Sequence, residues 1–283
     1  MEDRPRHRNS RLPPQALTLK IATWNVNGIR AREAQFLEWL DRDHPDVVCL
    51  QEIKAASAQV PTALCEMQGY WCYWHGDRAY SGVGLHVRRD AFPDKPRFAH
   101  PPFDHENRIV AAELGNLIVA SIYVPNGGKD FPAKMQFLEA MDHWVEEAHA
   151  QSRELVLCGD MNVARTDRDV HPKERKPNCI GQLPEERELI ERILSRGLVD
   201  VGRALDPDND GLFTWWAPWR NMRQRNIGWR LDYVMASQPL AARATSCEVL
   251  AQFGTSDHAP VVATFGEAMA ARADAAGAGE GNE

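Results

Sequence analysis

Asp160 and Asn162 stand two residues apart at the end of the segment Leu155-Val156-Leu157-Cys158-Gly159-Asp160-Met161-Asn162, directly after an apolar run that reads as a buried strand. A carboxylate released at the mouth of a buried strand, with an amide two residues on, has the chemistry to orient a water and to hold a phosphate oxygen. Polar groups emerge in the same way elsewhere. Glu52 follows Val47-Val48-Cys49-Leu50, Asp232 lies in Gly228-Trp229-Arg230-Leu231-Asp232-Tyr233, and Asp257 and His258 precede Pro260-Val261-Val262-Ala263-Thr264-Phe265. One acid at a strand end is ordinarily an exposed loop residue. Several, with a histidine beside one of them, point to a metal-assisted hydrolase.

A phosphodiester resists water because its charge repels nucleophiles and its leaving alkoxide is poor. Its hydrolysis calls for a cation on the oxygens, a base for the water and a group that stabilises the pentacovalent state. Hard Mg²⁺ prefers carboxylate and amide oxygens. Glu52, with Asn27 and Asp257, suits it better than a zinc cage, since the sequence has no HxxxH or Cys/His spacing. Asp160 is the candidate that orients or deprotonates the water. His258 is placed to donate to a phosphoryl oxygen if Asp232 holds and charges its ring, a pairing that also fixes the tautomer. Tyr123, at the end of an apolar strand before Pro125-Asn126-Gly127-Gly128, offers a hydroxyl to the phosphate or to a metal-bound oxygen. Each has a plainer reading alone: Glu52 as a strand-end cap, Asp232 as a surface partner of Arg230, Tyr123 as a core aromatic. Their joint occurrence at strand ends favours the site.

A second feature is the stretch from Trp215 to Arg230, with four Trp, four Arg and no acid. Arginine pairs with phosphates, and tryptophan stacks on bases or wedges between base steps. The plainer reading is a hydrophobic loop base with a solvated Arg rim.

The elements that must position these groups alternate between strand and helix patterns. Leu17, Leu19, Ile21 and Thr23 alternate as a strand that turns at Asn27-Gly28. Glu33 to Asp43 reads as a helix ended before Pro45, and Val47 to Leu50 as a buried strand. Strands are expected at Gly82 to Val87, Arg108 to Leu114, Asn116 to Tyr123, Phe213 to Trp216, Leu231 to Ala236, Cys247 to Ala251 and Val261 to Phe265. Helices are expected at Pro132 to Ala150, with Met135, Leu138, Met141 and Val145 on one face, and at Pro184 to Arg196, with Gly197 as the residue after its end. This pattern implies an α/β fold in which two sheets pack face to face with helices outside.

The chain has 283 residues, of which 43% are hydrophobic, enough for one large core. Residues 1–16, Arg- and Pro-rich, read as a disordered leader, 17–266 as a single catalytic domain, and 267–283 as an Ala/Gly-rich tail. No apolar run has the length of a membrane span and the first residues lack the apolar core of a secretory signal, so a cytoplasmic protein with no membrane partner is expected. The six cysteines form no CxxC pair, which fits reduced thiols. A net charge of −7 argues only weakly against a nucleic-acid partner, because a bound dication reverses the local sign of an acidic site.

In these segments the sequence resembles the exonuclease III family of abasic-site endonucleases, within the wider endonuclease/exonuclease/phosphatase superfamily. The resemblance runs from about Leu19 to Phe265. Its motifs, in the family's order, are Thr23 to Ala31 (Thr-Trp-Asn-Val-Asn-Gly-Ile-Arg-Ala), Leu50 to Lys54 (Leu-Gln-Glu-Ile-Lys), Tyr123 to Gly127, Gly159 to Asn162, Leu183 to Arg187 (Leu-Pro-Glu-Glu-Arg), Gly228 to Tyr233 and Ser256 to Pro260. Leu-Pro-Glu-Glu-Arg and Gly-Trp-Arg-Leu-Asp-Tyr point to the DNA-repair branch. The resemblance implies a four-layer α/β sandwich of two mixed sheets, with Mg²⁺ or Mn²⁺ at one end. By matching position, Glu52 is the main metal ligand with Asn27 and Asp257 close by. Asp160 activates water that Asn25 positions, Asn162 contacts the scissile phosphate, and His258 with Asp232 stabilises the transition state. Trp215, Trp229 and Leu231 match the walls of a pocket for a flipped-out abasic sugar, too small for an intact base. Lys129 and Trp219 match positions that enter the DNA grooves, and Arg223, Arg225 and Asn226 complete the expected substrate-binding set.

Two departures stand out. Asn27 occupies a position that is Asp in some members, which leaves the metal one charge fewer. The loop after Gly128 is short and runs straight into Phe131-Pro132. The implied activity is hydrolysis of the DNA backbone 5′ to abasic sites, removal of nucleotides or blocking groups from 3′ ends, or both. The expected partner is double-stranded DNA with abasic sites, nicks or recessed 3′ ends, acted on by a monomer. A dedicated 3′→5′ exonuclease is the near alternative. A lipid or inositol-phosphate phosphodiesterase on the same scaffold, or an inactive nucleic-acid-binding module, is the distant one.

Overall fold

Strands with apolar side chains on both faces have to be covered on both sides, and this requirement builds the molecule in layers. The computed structural model describes residues 18–266 apart from 66, 68 and 78. The expected leader, the tail and Leu17 lie outside the described residues. Twelve strands run β1 (Leu19–Asn25), β2 (Val47–Gln51), β3 (Tyr70–His75), β4 (Val83–Arg88), β5 (Arg97–Ala99), β6 (Ile109–Leu114), β7 (Leu117–Tyr123), β8 (Glu154–Asp160), β9 (Leu198–Asp200), β10 (Asp232–Ser237), β11 (Ala244–Val249) and β12 (Val261–Phe265). The α-helices are α1 (Glu33–Asp43), α2 (Thr62–Cys65), α3 (Phe131–Ala150), α4 (Pro184–Ser195), α5 (Val201–Leu205) and α6 (Gln238–Ala241).

The strands form two six-stranded sheets, ordered β11-β12-β1-β2-β4-β3 and β5-β6-β7-β8-β10-β9. Alternation along single strands shows the layering. In β2, Val47 and Cys49 join the core between the sheets, while Val48 and Leu50 pack outward with Phe36, Trp39 and Leu40 of α1. In β8, Val156 and Cys158 face the other sheet, and Leu155 and Leu157 pack under α3 and α4 with Leu138, Met141 and Ile190. Three stacked cores between four layers make the α/β sandwich.

Each sheet has one parallel pair at its centre, β1 with β2 and β7 with β8, and its other pairings are antiparallel. Parallel pairs bring carboxyl ends together, so Asn25 and Gln51 are register partners, as are Tyr123 and Asp160. Antiparallel neighbours start where those strands finish. Asp232, the first residue of β10, pairs with Asp160, and Val261, the first of β12, pairs with Thr23 near the end of β1. One end of the sandwich therefore collects the polar residues that leave or enter these strands.

The helices follow their local signals. Asp130 caps α3 by accepting from the Ala133 amide, with Pro132 in the first turn. Gly197 follows α4 at φ 106°, a backbone conformation that a Cβ disfavours. The strand expected at Phe213 to Trp216 is corrected. Trp215 makes only isolated bridges, to Trp229 and to His258, because it lies in a loop laid over the sheet end rather than in a ladder. Strands β3, β5 and β9 had no counterpart in the sequence reading. Cys49, Cys72, Cys158, Cys179 and Cys247 are free thiols. No helix among the described residues is long and apolar enough to cross a membrane.

Candidate active site

Asn25 ties the two sheets together at the polar end. Its amide nitrogen donates to Glu52 Oε1 at 3.0 Å and to Asp160 Oδ2 at 2.9 Å, and its own backbone carbonyl accepts from the Ser256 hydroxyl at 2.7 Å. Glu52, Asn27 and Asn162 all have φ between 45° and 50°, so each leaves its strand by a tight left-handed turn that points the side chain across the end of the sandwich. Gly159 prepares this geometry. At φ 150° a Cβ would lie 1.8 Å from the Ile122 carbonyl oxygen, so no larger residue fits before Asp160.

Asp160 is buried. One oxygen accepts from the Asn162 backbone amide at 2.9 Å, and the other lies 3.8 Å from His258 Nε2. His258 Nδ1 is 2.8 Å from Asp232 Oδ2. A carboxylate can only accept from that nitrogen, so Nδ1 carries a proton. Asp232 is itself aimed by Thr214, whose hydroxyl accepts from the Leu231 and Asp232 amides. Burial disfavours charge on the imidazole, but the carboxylates of Asp232 and Asp160 outweigh it and raise His258 to about 10. Burial, together with Asp232 and Glu52, pushes Asp160 up to about 7 against the pull of His258. The pair thus consists of an imidazolium beside a carboxyl that titrates near neutrality, the range useful to a general base. Tyr123 stands next to Glu52 and Asp160, and burial with these two carboxylates raises its phenol well above the ordinary value. The Arg108 guanidinium lies 4.7 Å from its ring centroid.

Lys54 carries the strongest hint of a cation site. Its ammonium lies 2.7 Å from Glu52 Oε2 and 2.6 Å from Asn27 Oδ1, so an acid oxygen and an amide oxygen converge on one positive centre. Asn27 continues the chain by donating to Asp257 Oδ1 at 2.8 Å, while Asp257 Oδ2 accepts from Trp215 Nε1 at 3.0 Å. Ligand atoms of Glu52, Asp160 and His258 also lie within 4.8 Å of one another. His258 is engaged by Asp232, so the available donors are oxygens, which fits a hard dication.

Glu52, Tyr123, Asp160, Asn162, Asp257 and His258 line a cavity of about 320 Å³ whose other wall is Trp215, Trp229, Leu231, Ile180 and Gly181. The two tryptophan rings meet edge to face at 5.9 Å. Gly228 permits the crossing, since a Cβ there would lie 2.5 Å from the Trp215 carbonyl. Lys129 is exposed and lines an adjoining cleft of about 310 Å³ with Tyr80, Arg108, Tyr123 and Asn126. Trp219 is 60% exposed on the far side of the aromatic loop. Arg225 is also exposed.

Arg223 and Asn226 sit differently from the expectation. The Arg223 guanidinium donates to the carbonyls of Ala251, Phe253, Gly254 and Ser256, so most of its donors are spent holding the loop that presents Asp257. Asn226 accepts from Trp216 Nε1 and donates to the Gly211 carbonyl, which fixes the aromatic loop. Arg230 is buried and binds Asp200 through two parallel bonds and Asp169 through a third, rather than pairing with Asp232. The basic stretch therefore has two inward-facing arginines and two outward ones.

Sequence reasoning gave no role to Lys54, Asn126, Thr214 or the pair Lys134 and Glu186. Lys134 and Glu186 are fully buried and form an ion pair beneath the site. Lys134 also donates to the Asn162 carbonyl at 2.7 Å, and Glu186 accepts from the Gly181 and Leu183 amides. A lysine on the apolar face of α3 was the available signal.

Residues 22–258 match the model of the Endonuclease/Exonuclease/phosphatase family. An exodeoxyribonuclease of Bacillus subtilis (strain 168) is 34% identical over 248 residues, 86% of this chain and 98% of the relative. The solved AP endonuclease from Archaeoglobus fulgidus superposes with a TM-score of 0.79 at 31% identity, covering 87% of this chain and 99% of that one. A 3′ phosphatase from Neisseria, solved bound to a product DNA hairpin, gives the same TM-score of 0.79, 31% identity, and coverage of 87% and 99%. With the sandwich, the strand-end carboxylates and the His258–Asp232 pair in place, these likenesses settle descent: the chain belongs to the endonuclease/exonuclease/phosphatase family of metal-dependent phosphoester hydrolases, in its exonuclease III branch.

Proposed function

We propose that this protein is a DNA-repair nuclease that hydrolyses the backbone 5′ to abasic sites and clears nucleotides or blocking groups from 3′ ends. The carrying observation is the meeting of Asp160 and His258, the latter held from behind by Asp232, with the wall of Trp215, Trp229 and Leu231 in one cavity. The relatives are named as an exodeoxyribonuclease, an AP endonuclease and a 3′ phosphatase, and all three activities break a phosphoester next to a deoxyribose. The lipid alternative loses its support, because these names concern nucleic acid.

Mg²⁺ or Mn²⁺ is the cation we assign, held by Glu52 with the Asn27 amide oxygen and Asp257 beside it. When bound, the ion neutralises phosphate oxygens and favours the leaving group. Lys54, which holds Glu52 and the Asn27 amide oxygen, would have to release them to the ion. Asp160 takes the proton of the attacking water, which Asn25 and the Asn162 amide keep in line. The His258 imidazolium, charged by Asp232, stabilises the negative charge that develops on phosphorus-bound oxygen. Tyr123 donates its hydroxyl to a phosphate oxygen, since its raised pKa keeps it protonated. Trp215, Trp229 and Leu231 accept a bare sugar swung out of the duplex and leave little room for a base.

Three end-labelled duplexes test this reading: one with an internal abasic site, one with a nick and one blunt-ended, each with Mg²⁺ and with EDTA. Incision at the abasic site and trimming at the nick, both abolished by EDTA, are expected. Trimming without abasic incision would restrict the protein to a 3′ exonuclease. Turnover in EDTA would remove the metal from the mechanism.

A further inference from the structure

A second group of side chains with metal-ligand atoms lies at the outer edge of the same end of the sandwich. His75 closes β3, the edge strand of its sheet, and its register partner Val83 pairs in turn with Gln51. Facing it are His100 and Asp104, from the segment between β5 and β6 of the other sheet. Ligand atoms of His75, His100 and Asp104 all lie within 4.8 Å of one another. The two imidazole centroids are 3.9 Å apart, and His75 Nε2 lies 2.6 Å from Asp104 Oδ2.

We propose that His75, His100 and Asp104 bind a transition-metal dication, with zinc the ion their chemistry matches best. Two imidazoles and a carboxylate make a nitrogen-rich set, unlike the oxygen set around Glu52. The surrounding bonds orient the ligands as metal sites require. His100 Nδ1 lies 3.2 Å from the Ile109 carbonyl, which can only accept, so the proton is on Nδ1 and the lone pair on Nε2. The Tyr73 hydroxyl, 2.8 Å from that Nε2, supplies a fourth ligand or yields to water. Asp104 Oδ1 accepts from the Arg108 and Ile109 amides, which leaves Oδ2 turned to His75. A simple ion pair explains His75 and Asp104 but not the second imidazole, tilted against the first at 3.9 Å. An ion pair needs no second imidazole, whereas one dication takes a lone pair from each ring. The bound ion replaces the proton between His75 and Asp104 and ties the edges of the two sheets. It also fixes the segment leading to Arg108, which lies over Tyr123.

The test uses the full chain in excess MgCl₂, which saturates the oxygen-ligand site, and a titration with CoCl₂ followed by visible absorption. One equivalent of four-coordinate cobalt is expected, without thiolate-to-cobalt charge transfer, and displaced by ZnCl₂. Combining His75→Ala with His100→Ala should weaken this binding about tenfold or more, while Glu52→Ala keeps it. No bound cobalt, a thiolate signature, or unchanged affinity in the double variant would overturn the proposal. If that variant does not fold, the imidazole nitrogen NMR signals of the wild-type chain decide. ZnCl₂ must shift those of His75 and His100, and unmoved signals overturn the site.

Discussion

At the scale of single residues, the environment raises both the base and the acid of the site into a useful range. Asp160 and His258 lie 3.8 Å apart, yet one titrates near 7 and the other near 10. The proposed mechanism requires Asp160 ionised and His258 charged. The rate should therefore fall as pH drops through the Asp160 value and fall again as pH rises through the His258 value. A bound dication lowers the acid limb further, so raising Mg²⁺ should move that limb to lower pH. Asp232→Asn removes the main charge that holds His258 up, and burial then pulls the imidazole down. The alkaline limb of kcat/KM should move to lower pH in that variant, and an unmoved limb would disconnect Asp232 from His258. Asp160→Asn keeps the shape and removes the base. We expect kcat to fall about 10²-fold or more with DNA affinity kept. Near wild-type turnover would assign the water to another group. These residues were legible because each is a polar group released where an apolar run ends. Lys54 was not, because nothing in its sequence neighbourhood distinguishes a cation that bridges Glu52 and Asn27 from a solvated one.

At the scale of elements, the readable pieces are those with one dominant constraint. Strands β2 and β8 are covered on both faces and appear as unbroken apolar runs. Helices α1, α3 and α4 carry clear stripes and end signals. Strand β3 escaped because Tyr-Trp-Cys-Tyr-Trp-His on an edge is half-buried on both faces and shows no alternation. Strands β5 and β9 have three residues each, too few for a period to appear. Pairing between distant elements was also hidden. Lys134 sits on the apolar face of α3, but nothing near it in sequence names Glu186 of α4 as its partner, and both are fully buried beneath Asn126 and Asn162. Removing one member leaves the other charged in the interior. Lys134→Ala should destabilise the fold by about 3–5 kcal/mol in urea unfolding. A loss under about 1 kcal/mol, the level of an exposed pair, would mean water reaches this pair.

At the scale of the molecule, the proposed function asks a chain of net charge −7 to bind a polyanion, which it can do by placement of charge rather than by its total. Sequence alone showed four arginines in the aromatic stretch, but only the fold separates Arg220 and Arg225, which face solvent, from Arg223 and Arg230, which brace loops. Arg225→Ala should weaken every duplex alike and lower the salt slope by roughly one, the signature of one lost phosphate contact. Arg223→Ala should instead lower thermal stability, since four carbonyls lose their donor. Equal slopes for wild type and Arg225→Ala would place the DNA elsewhere.

In the proposed function the aromatic wall sets the choice of substrate, because it lines the same cavity as the carboxylates. Trp229 meets Trp215 edge to face, pairs with it through the backbone and lies over Gly181. Trp229→Ala should open that wall. Abasic-site incision, which relies on fit to a bare sugar, should fall more than trimming of an ordinary 3′ end, which presents its base outside the cavity. Kinetics on the abasic and nicked duplexes give the ratio directly. Loss of both activities in equal proportion would make Trp229 a brace for the Trp215 loop, and through Trp215 for Asp257, rather than a gauge of the substrate.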